Sequence, residues 1–146
     1  MNTIIKTFDE LTTAELYMIL RARAEVFVVE QECVYQDLDG IDTDALHVFT
    51  VENGELSSYL RIFMKDRMSK TAQIGRVLTV KRGMGLGLSL LFEGIKAAHD
   101  RLCAEEIYIE AQVYAIGFYE KAGFYVTSDE FLEDGIPHVK MALKLR

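Results

Sequence analysis

The sequence predicts an α+β fold in which helices flank a mixed, mostly antiparallel sheet. Three features carry this expectation. Asn53-Gly54 separates two β-prone runs and is a strong hairpin signal. Residues 72–111 read as strand, glycine loop, helix and strand, a step that requires a right-handed parallel crossover within one sheet. Further strands close the chain after a short helix, so antiparallel pairs outnumber the parallel one.

Residues 3–8 are β-prone. Thr12 and Glu15 have capping-box spacing and start a helix. Leu16, Ile19, Leu20 and Phe27 fall near one helical face and carry it to about Phe27. Residues 28–40 are mixed and end in the turn-like cluster Asp37-Leu38-Asp39-Gly40. Strands follow at 47–51, 56–64 and 72–80, with a polar loop over 65–70. Leu88, Leu91, Phe92, Ile95 and Leu102 make a helical stripe over 86–102. Residues 107–111 form a strand and 115–122 a short helix, with Gly123 where a left-handed C-cap belongs. Strands at 124–127 and 139–145 complete the pattern.

With 146 residues, half of them hydrophobic and 27% charged, residues 1–146 read as a single globular domain. The net charge of −7 repels phosphate backbones, which argues against nucleic acid and favours a cationic partner such as an amine. Cys33 and Cys103 make neither a disulfide framework nor a metal pattern. No apolar run approaches a membrane span and no export signal opens the chain, so the expected location is the cytoplasm.

Gly83, Gly85 and Gly87 lie between a strand and a helix. Free N–H groups and the positive end of the helix dipole suit phosphate oxygens there, and glycine lets the backbone come close. Lys81 and Arg82 add charge. The same residues also suit a plain glycine-capped turn. The third glycine is misplaced for a dinucleotide fingerprint, and no Walker Gly-Lys-Ser/Thr is present.

Arg82-x-x-Gly85-x-Gly87 resembles the pyrophosphate signature of GNAT (GCN5-related N-acetyltransferase) enzymes. Ala115, Tyr119, Glu120, Lys121, Gly123 and Phe124 match that family's second signature, with Gln112 where asparagine is usual. Val26-Phe27-Val28-Val29-Glu30-Gln31, Tyr35-Gln36-Asp37-Leu38-Asp39-Gly40, Ile74-Gly75-Arg76-Val77 and Glu133-Asp134-Gly135-Ile136-Pro137-His138 are similar to the ElaA-like branch.

The resemblance implies a GNAT-like acyl-CoA N-acyltransferase fold using acetyl-CoA and an amine substrate. Strands four and five would part to admit the pantetheine arm. Leu78, Thr79 and Val80 would line it, with the backbone of Leu78 and Val80 pairing its amides. Arg82, Gly83, Met84, Gly85, Leu86 and Gly87 would hold the pyrophosphate, with Gln112 and Tyr119 nearby. Tyr119 would protonate the leaving thiolate. Strand four carries no carboxylate, so the base stays open among Glu110, Glu30 and His47, each of which also has a structural reading. Arg23, Arg61 and Arg76 read either as anchors for an acidic substrate group or as ion-pair partners of Asp39 and Asp42. No metal is expected, and a homodimer through a sheet edge is. Two alternatives stand beside this reading. Arg23, Phe27, Asp39, Asp42 and Arg61 echo acyl-homoserine-lactone synthases, and a non-catalytic acyl-CoA sensor would use the same fold.

Overall fold

The computed structural model describes residues 2–80 and 85–145. In chain order the elements are β1 (Thr3–Thr7), α1 (Thr13–Arg23), β2 (Leu46–Glu52), β3 (Glu55–Asp66), β4 (Thr71–Thr79), α2 (Leu86–Leu102), β5 (Glu106–Gln112), α3 (Ile116–Glu120), β6 (Tyr125–Val126), β7 (Phe131–Glu133) and β8 (Ile136–Lys144). One sheet runs β1-β2-β3-β4-β5-β8-β6, with β7 also on β8. Every neighbouring pair is antiparallel except β4–β5.

Local chemistry sets most boundaries. The Thr12 hydroxyl accepts from Glu15 N–H at 3.0 Å, and the Glu15 carboxylate accepts from Thr12 N–H at 2.9 Å, completing the capping box. The helical path does not end at Phe27. It widens after Arg23 into a π-helical stretch, Ala24–Glu30, which brings Val26 and Phe27 to the wall of a cavity. Asn53 and Gly54 both have positive φ, as the tight β2–β3 hairpin demands. Asp134 and Gly135 do the same between β7 and β8. That second hairpin is absent from the sequence reading, although Asp-Gly carries the same signal.

Side-chain alternation divides the core between the two sheet faces. Val48, Leu60 and Ile62 pack under α2, while Phe49 and Tyr59 pack with Ile19 of α1 on the other face. The buried face of α2 is not quite the stripe of large residues. Leu91 lies at its centre and Ile95 and Leu102 flank it, but Phe92 is 50% exposed. Leu90, Gly94, Ala97 and Ala98 complete the face. The small size of Gly94, Ala97 and Ala98 lets α2 approach the sheet closely, and a Cβ on Gly94 would lie 3.0 Å from Leu60 Cδ2. Gly94→Val is therefore expected to cost about 1–3 kcal/mol through overpacking. A urea midpoint equal to that of the unaltered protein would contradict the close approach.

Candidate active site

β4 and β5 pair only at Thr71↔Glu106, Ala72↔Ile107 and Gln73↔Tyr108. Beyond Gln73 the two strands part. The cause lies on the other side of β4. Between Arg61↔Gly75 and Tyr59↔Leu78, β3 spends one residue and β4 spends two, Arg76 and Val77. This bulge holds Arg76 at φ 52°, bends the strand and leaves its far half without a partner from β5. The separation of strands four and five implied by the resemblance is thus present, and it has a local origin.

The gap opens into a cavity of about 630 Å³. Gly85, Leu86 and Gly87 at the start of α2 line one end, with Gly85 capping the helix at φ 72°. α2 aims its unsatisfied N–H groups and positive dipole end there, which suits an anion. Lys81, Arg82, Gly83 and Met84 lie outside the described residues. Thr79, Gln112 and Tyr119 line the same cavity. Leu78 and Val80 need correction as pantetheine partners. Val80 N–H donates to Ser57 O at 2.8 Å, so strand alternation turns the backbone groups of Leu78 and Val80 toward β3. Those of Val77 and Thr79 face the gap instead. Leu78 lines the cavity while its side chain packs in the core with Ile19 and Phe49, and Val80 does not line it.

Tyr119 sits between the rings of Phe118 and Phe124, at 5.1 and 5.9 Å edge-on. Burial, aided by the nearby Tyr114 phenol, pushes its hydroxyl well above the ordinary tyrosine range. Tyr119 is therefore a protonated donor at neutral pH.

A second cavity, of about 780 Å³, adjoins the first. The two share a wall formed by Tyr35, Gln73, Arg76, Glu110, Glu133 and Asp134. Glu110 accepts from Tyr108 Oη at 2.7 Å and lies close enough to Glu133 to share a hydrogen bond. Burial and this neighbouring carboxylate raise Glu133 above the ordinary glutamate value. Of the three base candidates, only Glu110 is in the site. Glu30 is an exposed residue at the end of the π-helical stretch and lines neither cavity. His47 is fully buried, with Nδ1 at 2.7 Å from Tyr59 Oη and Nε2 at 2.9 Å from Asp42 O. Both ring nitrogens are used, and burial holds the ring below its ordinary value of 6.5. Glu133 and His138 belong to a segment that the sequence reading matches to the ElaA-like branch, but it gives them no catalytic role, because the β7–β8 hairpin that brings them to the site is absent from it.

The arginines form a structural network. Arg23, with none of its surface exposed, bonds Asp37 at 3.0 Å and Asp42 at 2.6 Å. Arg61 bonds Asp39 at 2.6 Å and Asp42 at 2.9 Å, and Arg76 bonds Asp37 at 2.8 Å. These pairs tie the segment after α1 to β3 and β4, which agrees with the ion-pair reading.

The family model described as an acetyltransferase (GNAT) domain matches residues 10–145. This chain belongs to the GNAT acetyltransferase family. Among GNAT relatives, the Escherichia coli protein ElaA is 37% identical over 138 residues, covering 92% of this chain and 90% of ElaA. The crystal structure of ElaA superposes with a TM-score of 0.90 at 34% identity, covering 97% of each chain. A crystal structure described as an acyl-CoA N-acyltransferase from Pseudomonas aeruginosa matches with a TM-score of 0.89 at 36% identity, covering 97% of this chain and 99% of that one. The acyl-homoserine lactone synthase BjaI matches with a TM-score of 0.79 over 99% of this chain and 82% of its own, but at 17% identity it shows the fold alone. The chain is thus an ElaA-like GNAT N-acetyltransferase, of a family that binds an acyl-CoA donor and an acceptor.

Proposed function

We propose that this enzyme moves the acetyl group of acetyl-CoA directly to a primary amine of a small molecule or peptide. The observation that carries the reading is the parted β4–β5 pair. It joins a donor channel, lined by the α2 N-terminus and Tyr119, to a second cavity across a wall containing two glutamates. Val77 and Thr79 offer backbone groups to the pantetheine arm, and Gly85, Leu86 and Gly87 offer N–H groups to the pyrophosphate. Arg82, Gly83 and Met84 complete that phosphate loop in the same reading. Gln112 borders the arm at the end of β5. The acceptor amine enters from the second cavity, where Glu110 faces it. Attack on the thioester carbonyl expels the CoA thiolate, and the Tyr119 hydroxyl supplies its proton. A cytoplasmic protein of one domain that pairs through a sheet edge belongs to the same reading.

Calorimetry with acetyl-CoA, followed by CoA release over a panel of amines, tests it. Micromolar binding and amine-dependent release are expected. Tyr119→Phe should leave acetyl-CoA affinity within a few-fold while lowering kcat about 100-fold. An unchanged kcat removes Tyr119 as the proton donor. Release only with longer acyl-CoA donors would replace the acetyl part of the reading by the acyl-homoserine-lactone-like alternative. Binding without turnover would favour the sensor.

A further inference from the structure

One imidazole in the site is held in place and left with an unused nitrogen. The side chain of His138, on β8, is 9% exposed. Its Nδ1 lies 2.7 Å from Ile136 O, so the ring proton sits there and donates to that carbonyl. The Phe131 ring stacks on it with centroids 6.0 Å apart. Nε2 then carries the lone pair. It makes no hydrogen bond to any described residue, and its partner Glu133 Oε2 is 3.7 Å away. His138 lines the donor channel, while Glu133 lines both cavities. Around Glu133 stand Glu110 and Tyr108 from β5, Asp134 in the adjoining turn, and Arg76 and Tyr35 across the shared wall. Lys140 lies opposite Glu110 in the β5–β8 register.

We propose that His138 is the proton acceptor of acetyl transfer and that Glu133 holds the acceptor ammonium against it. This rests on the acetyltransferase reading above. An ammonium arriving from the second cavity meets Glu133 first, at the wall common to both cavities, and Nε2 of His138 stands just behind it on the donor side. The ammonium gives one proton to Nε2 and becomes a neutral amine. The amine nitrogen bonds to the thioester carbon, the carbon–sulfur bond breaks, Tyr119 gives its hydroxyl proton to sulfur, and the second nitrogen proton returns through solvent to the Tyr119 phenolate. The imidazolium, stabilised by Glu133, releases its proton to solvent. Glu110, fixed by the hydrogen bond that Tyr108 donates to it, is a positioning residue that keeps negative charge beside Glu133.

The test compares two probes of similar length: phenethylamine, charged at neutral pH, and O-benzylhydroxylamine, which is not. Each protein is first titrated with acetyl-CoA. His138→Asn is expected to lower kcat/KM for phenethylamine about 100-fold and for O-benzylhydroxylamine less than about fivefold, because a neutral nucleophile needs no base. Glu133→Gln should raise KM for phenethylamine more than for the neutral probe. Equal losses on both probes overturn the proposal. The sequence has three histidines, so nitrogen-15 spectra of the imidazoles supply an arm independent of turnover. An Nδ1–H tautomer of His138 is expected, and an Nε2–H tautomer overturns the assignment. If neither probe turns over, that spectrum decides. Failure of the unaltered protein to bind acetyl-CoA would sink the acetyltransferase reading itself, whichever tautomer is found.

Discussion

Gly87→Glu is expected to weaken acetyl-CoA binding at least about 100-fold, some 2.8 kcal/mol. Two effects add. A Cβ at Gly87 would lie 3.3 Å from Thr79 Cγ2 and 3.4 Å from two Phe118 ring carbons, so any side chain crowds the channel. The added carboxylate also occupies the helix end where the pyrophosphate is expected, replacing attraction by repulsion. Gly87→Ala adds the crowding without the charge and should lose much less. Circular dichroism shows whether each variant folds, and calorimetry reads the affinity. A folded Gly87→Glu protein that binds acetyl-CoA normally would place the pyrophosphate away from α2.

Arg23→Ala is expected to cost about 3–5 kcal/mol of stability, because it strips a fully buried cation from two carboxylates and leaves Asp37 with Arg76 and Asp42 with Arg61 as their remaining cations. That is a large share of the roughly 5–15 kcal/mol available to a domain. A urea unfolding midpoint near that of the unaltered protein would show that Arg76 and Arg61 suffice for Asp37 and Asp42. The same network fixes the direction of acid sensitivity. Burial alone would raise Asp39 and Asp42, but the hydrogen bonds from Arg61 and Arg23 outweigh it and hold both below their ordinary value of 3.8. Their stabilisation is present above 3.8 and lost as pH falls toward the native values. His47, kept neutral by burial, acts earlier. Below 6.5 the unfolded chain takes a proton that the native ring resists, so stability falls with pH there too. Stability should therefore fall from about pH 6.5 downward and more steeply below about pH 4. A flat profile between pH 7 and 5 would contradict the neutral buried His47.

What was legible in the sequence was mostly local. The capping box at Thr12 and Glu15, the Asn53-Gly54 hairpin and the α2 boundaries rest on contacts within a few residues, and each has the predicted form. Gly85, Gly87 and Tyr119 line one cavity because their motifs carry their own strand and helix context. Other features needed the tertiary arrangement. Which backbone groups of β4 face the gap depends on the extra residue at the bulge, which reverses the strand's hydrogen-bonding sense between Gly75 and Leu78. No periodicity of side chains reports that. His47 looked available because a strand histidine in isolation does not reveal Tyr59 and Asp42 on either side of its ring. The juxtaposition of His138 and Glu133 at the site became visible only with β8 in register between β5 and β7, where Gln112 and Phe131 flank His138.

Arg76 has two jobs that meet in one backbone position. Its left-handed φ makes the bulge that parts β4 from β5, and its guanidinium grips Asp37 in the segment after α1. A left-handed conformation for such a residue costs about 1–3 kcal/mol, which the grip on Asp37 helps to offset. The width of the donor channel and the seat of the acceptor-side segment are therefore not separate variables. A graft that exchanges residues 31–44 for those of a relative would shift the thioester as well as the acceptor, unless Asp37 and Arg76 travel together. Selectivity for acceptors in this architecture has to be tuned around that keystone, from the wall at Asp44 and Met64, which lines the second cavity alone.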